Sequence, residues 1–463
     1  MNYIGIDFGT TNSIAGILGE NGKPIFAPLE GDETLMPSAI FVQIPKNEIL
    51  NASTYRSTQQ FIEEQVEQLT SHTFFSLLEN KNSKKYFGKE ALNEYNQNPL
   101  SGYLLRSVKS FLAVDISPLY QDLFSRTISL ILGDIKSKSE YFFKKSFDGV
   151  LLGRPVNYMG AKVSNKNEQA LGIMRNAAKL AGFSDVRFVV EPMAASLGTK
   201  EIFQSNSPSL IIDIGGGTTD VVLVQSNQND KERISVLDEK GERVGGNDFD
   251  EYIAISRFGI HIGLNGILKD GAALPNKYVL DCLSTRDINK QRSFRESGNE
   301  IHSLILKARN RIQIERLYQA YQMQLQHYLI SIAERFKLEI SVSEQFNFKF
   351  EKFTNSFSVR ASRDEIRADC IRQTDLILNI VNSVMKDNDL EDKFLRVFIT
   401  GGMSRSPLIT DEIIKRMPNN TKFNRISALF GVAGGIAALS TQLSLSEESY
   451  LDKFMFRGIP ITR

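Results

Sequence analysis

The chain has 463 residues, 41% of them hydrophobic and 24% charged, with a formal net charge of +1. That length allows roughly two to four domains with substantial cores, and that charge gives no reason to expect nucleic acid or an anionic membrane as a partner. Two distant cysteines, Cys282 and Cys370, and four histidines (His72, His261, His302, His327) without ligand spacing argue against a disulfide framework or a zinc site.

No apolar run approaches the roughly 18 residues of a membrane helix. The first motif begins at Tyr3, which leaves no room for a signal peptide, so the expected location is cytoplasmic. Tyr3–Leu18 (YIGIDFGTTNSIAGIL) reads as two apolar strands flanking a turn that carries Asp7, Gly9, Thr10, Thr11 and Asn12. Glu30–Val42 reads as a turn and a strand with Pro37 at its start. Residues 47–89 are polar without a clear period and read as helix and loop of an outer subdomain. Leu104–Leu112 places Lys109 within an apolar segment. Leu119–Tyr141 has helical spacing, Val150–Val156 reads as a buried strand, and Glu168–Ala181 as an amphipathic helix stopped by Gly182. Phe188–Val190 is a short strand, after which Glu191 and Pro192 open a small-residue helix.

Leu210–Val224 (LIIDIGGGTTDVVLV) repeats the first motif about 200 residues later, with Asp213, Gly215, Gly216, Gly217, Thr218, Thr219 and Asp220. Gly245–Asp250 (GGNDFD) is a glycine turn entering a helix, with Asp248 near the N-cap. Gly259–Arg292 shows no strong pattern, and Asn299–Glu339 reads as long helices with solvated faces. Phe346–Phe350 and Phe357–Val359 form an expected hairpin, followed by one helix from Arg363 to about Met385. Leu395–Thr400 is a strand ending in the Gly401–Gly402 turn, and Gly431–Leu439 is a small-residue helix.

The repeated hairpin carries the chemistry. Glycines can adopt positive φ and leave N–H groups uncovered, so a phosphate can approach the backbone of Gly215, Gly216 and Gly217. The threonine hydroxyls add donors, and Asp213 and Asp220 offer the hard oxygens that Mg²⁺ prefers, usually through its retained waters. A tight hairpin alone can carry glycines for structural reasons. Two copies can instead clamp one nucleotide. Neither GxGxxG nor GxxxxGK[ST] occurs, and a strand follows each glycine turn, which argues against Rossmann and P-loop enzymes.

Seven segments in order resemble the ATPase half of the DnaK-type (seventy-kilodalton heat-shock) chaperones: IGIDFGTTNS, VKSFL, EPMAAS, DIGGGTTD, GGNDFD, AERFKLEIS and TGGMSRSPLI. LGRPVNY at Leu152–Tyr158, KSFL at Lys109–Leu112 and TGGMSRSPLI at Thr400–Ile409 look most similar to the YegD-like branch, whose members lack a substrate domain. The resemblance implies an α/β chain on the actin–hexokinase–heat-shock ATPase fold, with two duplicated ribonuclease-H-like lobes around a nucleotide cleft. Residues 1–205 would form one lobe, with 424–445 packing back onto it, and 206–423 the other; 446–463 would be a short tail. It implies ATP/ADP and Mg²⁺, slow hydrolysis, and protein clients or a co-chaperone-like partner. Asp7, Asp213 and Asp220 would hold metal waters or orient the attacking water, with Glu191 as a metal-side carboxylate. Gly9, Thr10, Thr11, Asn12, Gly215, Gly216, Gly217 and Thr218 would bind phosphates, and Lys109 would contact the γ-phosphate and the nucleophile. Gly245, Gly246, Glu334, Lys337 and Ser341 would line the nucleotide pocket, with Gly401, Gly402, Met403 and Arg405 closing over it. Pro155 occupies the position of a proline linked to allosteric switching.

There are departures. Ser110 follows the lysine where arginine is usual, Asn424–Gly431 (NRISALFG) replaces an NPDEAVA-type stretch so that an acidic residue there is gone, and the segment from Asp250 to Ala333 is longer. The residues after Leu443 are too few for a peptide-binding β-sandwich and lid, so coupled peptide capture is not expected. Taken alone, Lys109 reads as a snorkelling surface lysine and Glu334/Lys337 as an i,i+3 helix pair. The alternatives on the same fold are a sugar-type kinase and an actin-like polymer.

Overall fold

The computed structural model describes residues 1–45, 75–114, 116–158, 164–197, 202, 207–226, 234–393, 395–425, 431–445, 455–456 and 459–462. Most of the polar stretch expected as helix and loop, and most of the NRISALFG segment, lies outside them. The chain divides into two compact units. One comprises Met1–Arg243, Val384–Gly401 and Pro418–Arg463, the other Val244–Ser383 and Gly402–Met417.

The first unit contains two sheets built on one plan. In the first, Tyr3–Phe8 is central: it pairs antiparallel with Asn12–Leu18, which pairs antiparallel with Pro24–Phe26. On its other side lie Gly149–Arg154 and then Asp185–Val190, both parallel. In the second sheet Ser209–Ile214 takes the central place, with Thr219–Ser226 and Ile234–Glu242 antiparallel on one side. Arg396–Thr400 and Lys422–Arg425 run parallel on the other. The repeated sequence motif is therefore the antiparallel hairpin that starts each sheet. Both faces of the central strands are covered, which is why they read as nearly continuous apolar runs instead of alternating ones.

The two sheets share a core. Leu151, Val189 and Val190 from the first and Ile211, Val222 and Phe398 from the second belong to one buried cluster with Met193, Ala194, Val432 and Ile436. Helices Glu191–Leu197 and Val432–Leu445 supply the latter four. The small residues of Val432–Leu445 set how closely it packs. A Cβ on Gly435 would lie 1.8 Å from the Ala194 carbonyl oxygen, and one on Gly5 would lie 2.8 Å from the backbone of Ile436. A smaller sheet joins Lys85–Phe87, Ala39–Gln43 and Gly102–Arg106, the last leading directly to Lys109.

In the second unit the charge-dense stretch forms Gly298–Lys307, Arg311–Gln322 and Gln326–Val342, three helices as its spacing predicts. The stretch without a sequence pattern is partly helical, in short pieces at Gly259–Ile262, Lys277–Leu283 and Ile288–Glu296. Pieces of one to three turns are too short to display a period. The single helix expected from Arg363 to Met385 is two, Arg363–Asp369 and Ile371–Asp387. The break falls at Cys370, which is buried beside Phe249, where Asp369 is held by Arg257 Nε at 2.5 Å. Ser362 and Glu365 cap the first of the two reciprocally.

The packing of Gly435 makes a testable contrast. Alanine normally stabilises a helix by about 1 kcal/mol relative to glycine, and Gly172, in Ser164–Leu180, has open space where a Cβ would go. Gly172→Ala is expected to raise the thermal unfolding midpoint. Gly435→Ala is expected to lower it, because overpacking by a fixed backbone carbonyl costs about 1–3 kcal/mol. Equal shifts in the two variants would show that the helix does not pack as described.

Candidate active site

The tips of the two repeated hairpins are built alike. The Gly9 N–H donates to the Asn12 carbonyl at 3.0 Å, and the Gly215 N–H donates to the Thr218 carbonyl at 2.9 Å. Neither Gly9 nor any of Gly215, Gly216 and Gly217 has a positive φ, contrary to the expectation from the sequence. What most of these positions need is space. A Cβ on Gly216 would lie 2.2 Å from Thr11 Oγ1, and one on Gly217 would lie 3.0 Å from Thr10 Oγ1. The glycines of the second hairpin thus face the threonines of the first at close range, with Thr10 buried and Asn12 exposed.

The acidic residues converge below these tips. Asp7 lies in Tyr3–Phe8. Asp213 and Asp220 are direct cross-strand partners in the second hairpin, and Asp213 is flanked on its other side by Thr400. Two glycines leave room for these carboxylates. A Cβ on Gly401, whose φ is +84°, would lie 2.5 Å from Asp213 Oδ1, and one on Gly241 would lie 2.6 Å from Asp220 Oδ1. Asp220 Oδ1 also accepts the Val156 N–H at 2.8 Å, just beyond Pro155.

Lys109 is not a surface lysine: it is 7% exposed. Ser107, with φ +57°, turns the chain out of Gly102–Arg106 into the short helix Val108–Phe111 that carries it. Its Nζ lies 2.7 Å from Glu191 Oε1, the first residue of Glu191–Leu197, and 3.5 Å from the Gly153 carbonyl. Gly153 is itself hemmed in, since a Cβ there would lie 3.1 Å from Glu191 Cγ. Lys109 Nζ also sits 6.0 Å from the ring centroid of buried Tyr158.

The electrostatics follow from burial. Desolvation, then the Glu191 charge, pushes Asp7 up to about 7. The same two causes push Asp220 up to about 8, against the Val156 and Thr218 hydrogen bonds that lower it. Desolvation, followed by Glu191, Asp220 and Asp7, holds Asp213 well above the usual carboxylate range. Burial would lower Lys109, but Glu191, Tyr158 and Asp7 outweigh it and hold the ammonium above the ordinary lysine value. Four acidic groups thus stand against one ammonium in a poorly solvated place. That imbalance, in an all-oxygen donor set, suits a hard divalent cation. Among the described residues no three His, Cys, Asp or Glu side chains are arranged to hold a metal ion directly.

The remaining expected site residues belong to the second unit. The Gly245 N–H donates to Asp248 Oδ2 at 2.8 Å, and the Asp248 N–H donates to the Gly245 carbonyl, closing the start of Gly246–Ile253. Lys337 is buried and donates to the Gly246 carbonyl at 3.0 Å and to Asp250 Oδ2 at 2.8 Å, a contact the i,i+3 reading with Glu334 does not contain. The Ser341 hydroxyl donates to the Lys337 carbonyl at 2.8 Å. A Cβ on Gly246 would lie 3.3 Å from Met403 Cγ. Glu334 is half-buried, while Gly402 and Arg405 are exposed in the turn Gly402–Arg405.

Sequence reasoning missed Gly153, Tyr158 and Gly241 as parts of the site. Gly153 and Tyr158 lie inside LGRPVNY but belong to no phosphate- or metal-binding pattern, and Gly241 sits in an ordinary polar turn sequence, DEKGER. Only the fold brings them to the acids.

The raised carboxyls predict a pH dependence for the metal-free protein. Asp220 stays protonated in the fold up to about pH 8, whereas in the unfolded chain it ionises near its ordinary value of 3.8. The folded state therefore binds more protons between these values, and stability falls as pH rises through that window. In Asp220→Asn this contribution is absent. The unfolding midpoint of the variant relative to wild type is expected to rise steadily from pH 5 to pH 8, and a constant difference would refute the buried-charge account.

A family model described as MreB/Mbl protein matches residues 144–265. The chain is 24% identical over 448 residues to a chaperone protein dnaK of Guillardia theta, covering 94% of this chain and 58% of that one. It is 23% identical over 417 residues to a chaperone protein dnaK1 of Nostoc, covering 88% and 49% respectively. It is 26% identical over 279 residues to the chloroplastic heat shock 70 kDa protein 7 of Arabidopsis thaliana, covering 58% and 35%. The chain thus spans about half the length of the curated relatives it matches over most of its own. With two like-built sheets, each opened by a glycine–threonine hairpin, and similarity to dnaK proteins along nearly its whole length, the chain is similar to the Hsp70-type chaperones and has the actin–hexokinase–Hsp70 fold.

Proposed function

We propose that the chain binds ATP with Mg²⁺ and hydrolyses it slowly to ADP and phosphate, as a YegD-like member of the family acting in the cytoplasm. The observation that carries this reading is the group of buried Asp213, Asp220 and Lys109 with half-buried Asp7 and Glu191, beneath two facing glycine–threonine turns. Asp7 and Asp213, with Glu191 behind them, would hold Mg²⁺ through its waters, and the ion would neutralise phosphate charge. The N–H groups of the turns and the hydroxyls of Thr10, Thr11 and Thr218 bind the phosphates. In the reaction a water oxygen bonds to the γ-phosphorus, the bond to the β–γ bridging oxygen breaks, and the water gives up a proton to a nearby carboxylate. Phosphoryl transfer needs mainly positioning and charge stabilisation. The fixed Lys109 ammonium supplies charge, and the Asp carboxylates orient the water. Lobes divided at residues 205 and 206 would each carry one repeated hairpin, and nucleotide-dependent closure of those lobes is the cycle we propose. Protein clients or a co-chaperone-like partner would read that cycle. No helix among the described residues is long and apolar enough to cross a membrane.

Nucleotide titration with and without Mg²⁺, beside a phosphate-release assay and a sugar panel, tests the reading. Metal-dependent ATP binding with phosphate release to water supports it; transfer to a sugar overturns it in favour of a kinase. Lys109→Met is expected to lower single-turnover hydrolysis by about 10²-fold or more, roughly 2.7 kcal/mol in barrier, while ATP affinity falls by less than about threefold. The variant leaves Glu191 without its buried ammonium, which costs about 3–5 kcal/mol of stability, so its fold is checked by circular dichroism at the assay temperature. Hydrolysis within about threefold of wild type in the folded variant would remove Lys109 from the chemistry.

A further inference from the structure

Ser110 and Arg243 remain unexplained by the site as described. Ser110 Oγ is buried and has no hydrogen-bond partner among the described residues. Leaving a buried hydroxyl unsatisfied costs about 1–3 kcal/mol, which points to a group that joins it on binding. Its position indicates where: a Cβ built on Gly217 would lie 3.3 Å from Ser110 Oγ and 3.0 Å from Thr10 Oγ1. The hydroxyl therefore stands beside the point where the two hairpin tips face each other.

Arg243 is bound to the same residue. Its Nη2 donates to the Ser110 carbonyl at 3.2 Å. The arginine directly follows the outer strand Ile234–Glu242, whose Glu242 pairs with Thr219 and whose Gly241 pairs with Asp220. The sheet register thus delivers a guanidinium to the end that carries the Gly215–Thr218 turn. Lys109, one residue before Ser110, is the other cation on this turn and has Glu191 Oε1 at 2.7 Å from its ammonium. A guanidinium is permanently charged and presents its donors in a planar fork that matches phosphate oxygens.

Resting on the ATP reading, we infer that Ser110 Oγ and the Arg243 guanidinium form the part of the site that binds the terminal phosphate, distinguishing a nucleoside triphosphate from a diphosphate. Arg243 reaches the γ-phosphoryl oxygens from the second sheet, Ser110 from the Lys109 turn, and the contact between them holds the two in register.

The test is calorimetric titration of wild type, Ser110→Ala, Arg243→Gln and Arg243→Lys with Mg²⁺ and three probes: ADP, a non-hydrolysable ATP analogue, and ADP with beryllium fluoride. Ser110→Ala and Arg243→Gln are each expected to weaken the two probes with a terminal group by about tenfold or more, equivalent to about 1.4 kcal/mol. ADP affinity is expected to change by less than about threefold, and Arg243→Lys is expected to retain part of the preference. A loss shared equally by all three probes, or no loss, overturns the inference and leaves the ATP reading standing. A folded wild type that binds none of the probes overturns both. Ser110→Ala removes a single oxygen, so the inference remains testable if an Arg243 variant does not fold.

Discussion

Burying several carboxylates against a single ammonium is the constraint on which the rest of the site depends. Each ion taken out of water loses several kcal/mol of solvation; Asp7 and Asp220 are pushed up to about 7 and about 8, and Asp213 is held well above the usual carboxylate range. The Lys109–Glu191 pair offsets only one of the four acidic groups. A site in this condition is poorly satisfied by the protein alone and well suited to a cation and a polyphosphate arriving together. That is why the acidic cluster and the turns above it make better sense as one device than as separate features.

Keeping such groups buried requires rigid neighbours, and glycine provides much of the rigidity here by allowing close approach. Gly153 makes room for Glu191, Gly241 for Asp220 and Gly401 for Asp213. The same economy of space appears in the core, where Gly5 and Gly435 bring Val432–Leu445 against Tyr3–Phe8 and Glu191–Leu197. Helix Glu191–Leu197 therefore has two tasks. Its first residue holds Lys109, and its small apolar residues sit in the core shared by both sheets. A change in that core would be felt at Glu191 without any contact to a ligand.

The second unit shows the same preference for satisfying buried charge locally. Lys337 is enclosed with Asp250 and the Gly246 carbonyl, and Arg286 reaches Asp248 at 3.1 Å through Nη1. Helix Gly246–Ile253 carries all three partners, so the glycine turn that opens it and the charges around it form one arrangement.

The sequence by itself determined the repeated hairpins, the position of each aspartate at a strand end, the lysine in its apolar segment and the order of most helices. Those features are local: alternating or continuous apolar runs and glycine turns leave a period or a boundary within a few residues. It did not reveal the short helices of 259–292, which hold too few turns to show a period, or the break at Cys370, because the spacing runs through both helices. Only the tertiary structure decided that Gly216 and Gly217 serve by leaving space for Thr10 and Thr11 instead of by adopting positive φ. Only it paired Lys109 with Glu191, 82 residues away, and brought Arg243 to Ser110 across 133. Such contacts are set by strand register and by the packing of two sheets on a common core, and no local pattern in the chain records them.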